Sequence, residues 1–171
     1  MKRVMIVGQP GAGKSTLARM IGEITGLPVI HVDLIHWKPG WVERDKAEKI
    51  AMAKAEEAKD EWIFEGGLSQ TWANRADRAD TIIALVLPLW LRVWRVFWRT
   101  IRQYGHSRPD LPDDCPERFD AEFWKWIWDT RRTGRDKALR LLAEAPAEKQ
   151  TYCLRSPRQV RRFLAQLEWA S

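Results

Sequence analysis

The sequence predicts an α/β protein in which helices cover a parallel sheet. Short apolar runs alternate with longer stretches whose apolar residues recur at helical spacing, the pattern expected of strand–helix–strand units. The first apolar run also ends in a glycine-rich loop that an amphipathic segment follows at once. With 171 residues, 45% of them hydrophobic and 30% charged, the composition is that of a globular chain. We therefore expect a single domain over residues 1–171.

Five short apolar runs predict five strands, each followed by residues that favour a turn. Gly8 follows the first run, and Pro88, which cannot donate to a strand ladder, follows the fourth. Asp33 follows the second run, and the third continues into a Glu-Gly-Gly turn. The predicted strands are residues 4–7, 29–32, 62–64, 81–87 and 151–154.

Helical spacing of apolar residues predicts helices between these strands and after the last one. The first helix follows the glycine-rich loop and ends at Gly26, a favourable residue for a helix C-terminus. Gly134 predicts a break in a long helical segment, and Ser156 before a proline predicts the N-cap of the final helix. The other predicted helical segments are residues 43–61, 89–104 and 119–145.

The glycine-rich loop matches the phosphate-binding pattern G-x-x-x-x-G-K-[ST], the P-loop, between a strand and a helix. Its glycines let backbone N–H groups turn toward a phosphate chain, and the helix N-terminus adds the positive end of its dipole. Lys14 would reach the β- and γ-phosphates, and the Ser15 hydroxyl would bind Mg²⁺. The predicted nucleotide-binding residues here are Gly8, Pro10, Gly11, Ala12, Gly13, Lys14, Ser15 and Thr16.

Carboxylates follow two strands at the edge where ligands of parallel sheets collect. Asp33 and Glu65 could hold Mg²⁺ through water, orient an acceptor hydroxyl or take its proton. The alternatives are a turn or N-cap role for Asp33, a structural salt bridge for Glu65 and a packing role for His36. The two glycines after Glu65 allow a close substrate approach or form a plain turn. The predicted acceptor-binding residues are Asp33, His36, Glu65, Gly66, Gly67 and Arg75.

A stripe of four arginines runs along the predicted helix 89–104, at spacings of three, four and three residues. Residues 88–109 contain no acidic residue, and like charges in a row repel one another unless an anion lies among them. The stripe is either a phosphate clamp or a solvated face. We expect Arg95 and Arg99 to contact the nucleotide and Arg131, on the next helix, to be catalytic. The stripe consists of Arg92, Arg95, Arg99 and Arg102.

The loop between these basic helices, residues 105–118, is rich in Pro and Asp. A loop of this length between arginine-bearing helices predicts a lid that closes and excludes water. The lid subdomain would span about residues 89–140. Eleven tryptophans are present, and six of them lie between residues 90 and 128 among basic side chains. They indicate either aromatic core packing or a substrate pocket or base-stacking surface.

The chain's charge and cysteine content set further expectations. Twenty-nine basic and 23 acidic residues leave a net charge of +6, which favours phosphates, nucleotides, nucleic acid or acidic lipid as partners. Two cysteines are too few for a disulfide framework or a four-thiolate zinc site. The most apolar stretch, residues 82–91, is too short to span a bilayer. We expect a cytoplasmic protein without a membrane partner.

Five segments of the chain, from the P-loop to the start of the final predicted helix, resemble the small-kinase branch of P-loop proteins. This branch includes nucleoside monophosphate kinases and shikimate kinases. The five segments are most similar to bacterial DNA topology modulation proteins, which are adenylate-kinase-like. The resemblance implies a three-layer α/β/α fold with a five-stranded parallel sheet in the order 2-3-1-4-5 and a helical lid insertion. It further implies an acceptor-binding insertion at about residues 34–61 and places Ser156 near the adenine of ATP. The segments that carry it are residues 7–16, 31–37, 62–66, 115–120 and 154–157.

The function expected from these features is ATP- and Mg²⁺-dependent transfer of the γ-phosphoryl group to a small-molecule or nucleotide acceptor. The fourth predicted strand contains no acidic residue, which weighs against a motor-type ATPase. Two alternatives stay open. One is a nucleic-acid-binding regulator switched by ATP, and the other is an ATPase without a small acceptor.

Overall fold

A computed structural model describes residues 1–169 as seven strands and eight helices. The strands are β1 (Arg3–Gly8), β2 (Val29–His31), β3 (Trp37–Lys38), β4 (Val42–Glu43), β5 (Trp62–Glu65), β6 (Thr81–Leu85) and β7 (Gln150–Leu154). The helices are α1 (Lys14–Thr25), α2 (Val32–His36), α3 (Lys46–Glu57), α4 (Trp72–Arg78), α5 (Leu89–Arg102), α6 (Ala121–Asp129), α7 (Thr133–Ala143) and α8 (Pro157–Glu168).

Five of the strands form one parallel sheet in the order β2-β5-β1-β6-β7. Counted among the sheet strands alone, this is the predicted order 2-3-1-4-5, which is confirmed. The central strand β1 pairs with β5 on one side and β6 on the other. Because all five strands are parallel, their carboxyl ends lie at one edge. The P-loop after β1 therefore lies beside the residues that follow β2 and β5.

Both faces of the sheet are covered, which gives the predicted three layers. Successive side chains of a strand point to opposite faces. Val4 and Ile6 pack with α1 and α8, whereas Met5 and Val7 pack on the other face with α7. This double burial explains why the strand sequences are almost continuously apolar. No helix within residues 1–169 is both long enough and apolar enough to cross a bilayer.

The helical break predicted at Gly134 is wrong. The chain breaks at residues 130–132 instead, and Gly134 is the second residue of α7. A Cβ atom at Gly134 would lie 3.2 Å from Cγ of Gln9, so the glycine serves close packing against the P-loop. The Gln9 side-chain amide donates to the carbonyl oxygens of Thr130 (3.0 Å) and Arg131 (2.9 Å). The loop thus holds the junction between α6 and α7.

The insertion after β2 contains more structure than the single helix predicted there. Strand β2 ends at His31, so Asp33 lies in the first turn of the short helix α2 and not at the strand's end. A two-stranded antiparallel hairpin of β3 and β4 follows. Helix α3 then starts at Lys46, where the Asp45 side chain accepts from two backbone N–H groups of the first turn. Helix α4 was not predicted.

Candidate active site

The P-loop has the backbone geometry that its glycines predict. Gly8 and Gly11 have φ angles of 154° and 74°, in the region that favours glycine. A Cβ atom at Gly11 would lie 2.4 Å from the carbonyl oxygen of Arg92, and one at Gly8 would lie 2.7 Å from that of Leu85. Side chains are therefore excluded at both positions by conformation and by packing. The loop forms a narrow backbone cradle at the N-terminus of α1, which suits a phosphate chain.

Helix α5 supports this cradle from one side. The Arg92 side chain is buried, and its guanidinium donates to the carbonyl oxygens of Pro10 (3.2 Å) and Leu87 (3.3 Å). Arg95 donates to the carbonyl oxygen of Ala12 at 3.2 Å. The arginine stripe is thus not uniform. Arg92 is a buried support for the loop and does not belong to a solvated face.

Lys14 and Ser15 are the first two residues of α1, whose first turn holds no acidic side chain. The Lys14 ammonium lies 3.4 Å from the carbonyl oxygen of Gln9, a long contact that a phosphate oxygen could replace. Within residues 1–169, no three His, Cys, Asp or Glu side chains form a group that could hold a metal. The Ser15 hydroxyl, at the start of α1, could hold Mg²⁺ together with phosphate oxygens and water, which is the usual composition of a Mg-nucleotide site.

Two carboxylates lie beside Lys14 at the carboxyl edge of the sheet. Glu65 is buried at the end of β5, and its Oε1 is 2.8 Å from Nδ1 of His31. Burial raises the pKa of the Asp33 carboxyl, and the negative charge of Glu65 raises it further, while Lys14 and Arg108 oppose the shift. The structure thus brings Asp33, Glu65 and Lys14 together. Glu65 also has a buried polar partner in His31, as its structural alternative requires.

Arg75 supports the Gly66-Gly67 turn. Its side chain is fully buried, and Nη1 donates to the carbonyl oxygens of Gly67 (3.2 Å) and Gly66 (3.4 Å). Nε donates to the Glu57 carboxylate at 3.0 Å, and the guanidinium lies 3.9 Å from the centre of the Phe64 ring. The Phe64 ring covers one face of the guanidinium, and its Nε, Nη1 and Nη2 atoms all donate within the protein. Arg75 can therefore affect an acceptor by holding the turn in place.

Three further predicted residues outside the P-loop have local contacts. His36 packs edge-on against Trp37 and lies 3.6 Å from Glu43, and burial lowers its pKa. The Arg131 guanidinium lies 4.1 Å from the centre of the Trp128 ring, although its backbone is held by the P-loop. The Ser156 hydroxyl accepts from the backbone N–H of Gln159 and caps α8, as predicted.

The loop of residues 105–118, the predicted lid, carries an ion-pair network that sequence analysis missed. Nε of Arg99 and Nε of Arg108 lie 3.1 Å and 2.7 Å from the same Glu117 carboxylate oxygen. Asp110 pairs with Arg108 at 3.0 Å and with Arg19, on α1, at 3.8 Å. The only sequence signal was that residues 108–118 hold four acidic residues between two arginines. Nothing in that pattern pointed to Arg19.

The same loop is docked on the β3–β4 hairpin. The backbone N–H of Gly40 donates to the carbonyl oxygen of Asp114 at 3.0 Å. The indole N–H of Trp41 donates to the carbonyl oxygen of Pro116 at 3.0 Å, and its backbone N–H donates to the buried sulfur of Cys115 at 3.4 Å. The two insertions therefore meet over the carboxyl edge of the sheet.

Most of the clustered tryptophans are on the surface. The predicted alternative of core packing is wrong for five of the six tryptophans between residues 90 and 128. The exposed ones are Trp90, Trp94, Trp98, Trp126 and Trp128. Two of them border a groove of about 600 Å³ along α5, next to the P-loop contact of Arg95. The groove is lined by Trp94, Arg95, Trp98, Arg99, Arg102 and Gln103.

Comparison with known proteins identifies the fold. No family model matches the sequence, and no curated protein sequence matches it. The structure is similar to shikimate kinase from Acinetobacter baumannii in complex with shikimate, at 14% identity and a TM-score of 0.56, over 98% of this chain and 90% of that one.

Two further solved structures extend the comparison. A putative kinase from Chloroflexus aurantiacus is similar at 16% identity and a TM-score of 0.56, over 99% of this chain and 98% of that one. Deoxyadenosine kinase from M. mycoides with bound dCTP is similar at 15% identity and a TM-score of 0.55, over 97% and 98%. The chain therefore has the fold of small P-loop kinases.

Proposed function

We propose that this protein transfers the γ-phosphoryl group of ATP to a hydroxyl group of a small acceptor, with Mg²⁺. The observation that carries the proposal is the position of Asp33 beside Glu65 and Lys14, at the open edge next to a complete P-loop. Phosphoryl transfer needs charge neutralisation and an oriented acceptor more than covalent chemistry. The kinase names of the structural neighbours support this choice.

Different groups of the chain would bind the phosphates, hold Mg²⁺ and contact the rest of the nucleotide. Backbone N–H groups of the P-loop and the N-terminus of α1 hold the phosphates, and Lys14 neutralises the β- and γ-phosphates. Ser15 would hold Mg²⁺, which would supply further positive charge at the transferring group. Arg95 and Arg99, on α5, are the proposed arginine contacts to the nucleotide, and Arg131, after α6, is the proposed catalytic arginine. Ser156 would lie near its adenine.

Asp33 is the residue we propose to orient the acceptor hydroxyl and take its proton, with Glu65 in support. A raised pKa suits a carboxylate that must accept a proton, because a more basic group removes it more readily. Residues 34–61 would bind the acceptor, and the lid within residues 89–140 would exclude water. Its contacts with the hairpin then direct the phosphoryl group to the acceptor and away from water.

Asp33→Asn should lower acceptor-stimulated ADP release by about 100-fold or more, the usual contribution of a positioned base. The measurement is ADP release from Mg-ATP with a panel of nucleosides, nucleoside monophosphates, sugars and other hydroxyl metabolites. ATP binding, followed by titration calorimetry, should be retained because the P-loop is untouched. Stimulation that persists in Asp33→Asn would remove Asp33 from the reaction.

Thermal unfolding provides the control for Asp33→Asn. A raised native-state pKa means that this carboxyl stabilises the fold at pH values below its unfolded-state pKa. That contribution is lost as the pH rises through the native value. At neutral pH the charged carboxylate is therefore costly, and the variant should unfold at the same temperature or a higher one. A lower unfolding temperature would show that the variant loses turnover because its fold is destabilised.

A second candidate function, ATP-switched binding of nucleic acid, is favoured by the exposed Trp and Arg side chains along α5. It would agree with the resemblance to DNA topology modulation proteins. Stacking contributes about 1–3 kcal/mol per base, so Trp98→Ala should weaken binding of a labelled single strand about tenfold. Trp90→Ala is the matched control, since Trp90 is exposed on the same helix outside the groove. Binding that neither variant weakens would reject this candidate.

A further inference from the structure

The lid loop carries two buried acids, and both point to arginines. Asp110 and Glu117 are only 4% and 6% exposed, although they lie in a loop. Carboxylates are rarely buried unless they are paired. Their partners are Arg19 on α1, Arg99 on α5 and Arg108 in the loop itself. Three elements therefore contribute to one buried network of opposite charges.

The paired atoms of these arginines have no alternative partner. Nη1 of Arg19 and the Nε atoms of Arg99 and Arg108 are buried and form no hydrogen bond of good geometry within residues 1–169. These three nitrogen atoms lie 2.7 to 3.8 Å from carboxylate oxygens of Asp110 and Glu117. The two lid acids thus occupy positions at which arginines otherwise hold an anion.

This network lies beside the proposed acceptor-binding insertion, because its loop is docked on the β3–β4 hairpin within residues 34–61. The charges of Arg108 and Asp110 both act on the Asp33 carboxyl, and that of Asp33 acts on Arg99. Lys14 and Arg95 contact the P-loop, where the nucleotide phosphates would lie. Arg99 is a proposed nucleotide contact, so the cations that this network leaves for an acceptor are Arg19 and Arg108. These two arginines pair with Asp110 and Glu117, which match them in number.

We infer that the acceptor carries no anionic group and is an uncharged or cationic hydroxyl compound, because the lid's own Asp110 and Glu117 already fill the arginine positions beside Asp33. The inference rests on the proposed phosphoryl transfer, which it narrows. A phosphorylated or carboxylated acceptor would lie against two buried carboxylates without a free cation. An uncharged or cationic hydroxyl compound can donate hydrogen bonds to both of them.

A titration with inorganic phosphate tests this charge pattern without knowledge of the acceptor. The full chain is first saturated with Mg²⁺ and a non-hydrolysable ATP analogue, so that the P-loop is blocked. Under these conditions Asp110→Asn should bind phosphate at least tenfold more tightly than the wild-type protein does. Asp113→Asn, which removes the same charge at an exposed position of the same loop, should behave as wild type. Glu117→Gln repeats the test if Asp110→Asn fails to fold.

Two results would overturn the inference. Phosphate binding of equal strength by wild type and Asp110→Asn would show that the arginines are free despite the lid acids. Phosphate binding by neither Asp110→Asn nor Glu117→Gln would show that these arginines are not an anion site that the lid fills.

Acceptor pairs that differ only by an anionic group give the second measurement. These are a nucleoside with its monophosphate and a sugar with its acid. In wild type, the member without the anionic group should stimulate ADP release, and the anionic member should not. The reverse preference would overturn the inference. If neither member stimulates although the analogue binds, the proposed transfer fails, while the phosphate titration still decides whether the lid acids exclude an anion.

Discussion

Lys14→Ala is expected to lower ATP-dependent phosphoryl transfer by at least about 100-fold, the scale of losing one preorganised charge at a developing anion. Lys14 is the first residue of α1, where the helix dipole and the turned P-loop backbone already favour a phosphate. Within residues 1–169, the hydrogen bond of its ammonium is a long one, 3.4 Å, to a carbonyl oxygen of the loop. Removing it therefore leaves the fold intact and removes the positive charge at the transferring group. Initial rates of ADP release, with the stimulating acceptor, provide the measurement.

Lys2→Ala is the matched control for this variant. Lys2 is exposed and lies outside the proposed nucleotide, acceptor and lid segments, and its removal changes the net charge by the same amount. It should leave ADP release and nucleotide affinity unchanged, within a factor of about two. Full turnover by Lys14→Ala would show that the P-loop does not carry the chemistry. Equal losses in the two variants would point to a general effect of charge.

Arg75→Met is expected to lower the free energy of unfolding by about 3–5 kcal/mol, because it leaves the Glu57 carboxylate buried without its partner. Both side chains are fully buried, so the carboxylate cannot turn to water. The variant also removes the donors to the Gly66 and Gly67 carbonyl oxygens. For a chain of this size the melting temperature should fall by roughly 10 °C. Thermal unfolding by circular dichroism measures it.

The double variant Arg75→Met with Glu57→Leu separates the buried charge from the lost packing. Replacing a whole buried ion pair by apolar side chains is often close to neutral. The double variant should therefore recover most of the lost melting temperature. If it is as unstable as Arg75→Met alone, the contacts to the Gly66-Gly67 turn, and not the ion pair, stabilise this region. A change below about 1 kcal/mol in the single variant would contradict the proposed role of the pair.

The sequence by itself determined the features that depend on neighbouring residues. The P-loop pattern identified the cradle, because the φ angles of Gly8 and Gly11 are properties of those residues. Gly26 ends α1 and Ser156 caps α8 for equally local reasons. The sheet order followed from the resemblance, and the parallel direction of its strands was sufficient to place Asp33 and Glu65 at the edge of the P-loop.

Only the tertiary structure decided which charged residues pair with one another. The periodicity placed Arg92 and Arg99 in one stripe of the helix, yet Arg92 is buried against the P-loop and Arg99 pairs with Glu117 in the loop 105–118. Arg19 and Asp110 lie far apart in sequence but meet once the lid is docked. Periodicity indicates in which direction a side chain points from its own helix. It does not indicate which side chains of another helix or loop lie next to it. Partners at such separations depend on packing of the whole chain, which no local pattern records.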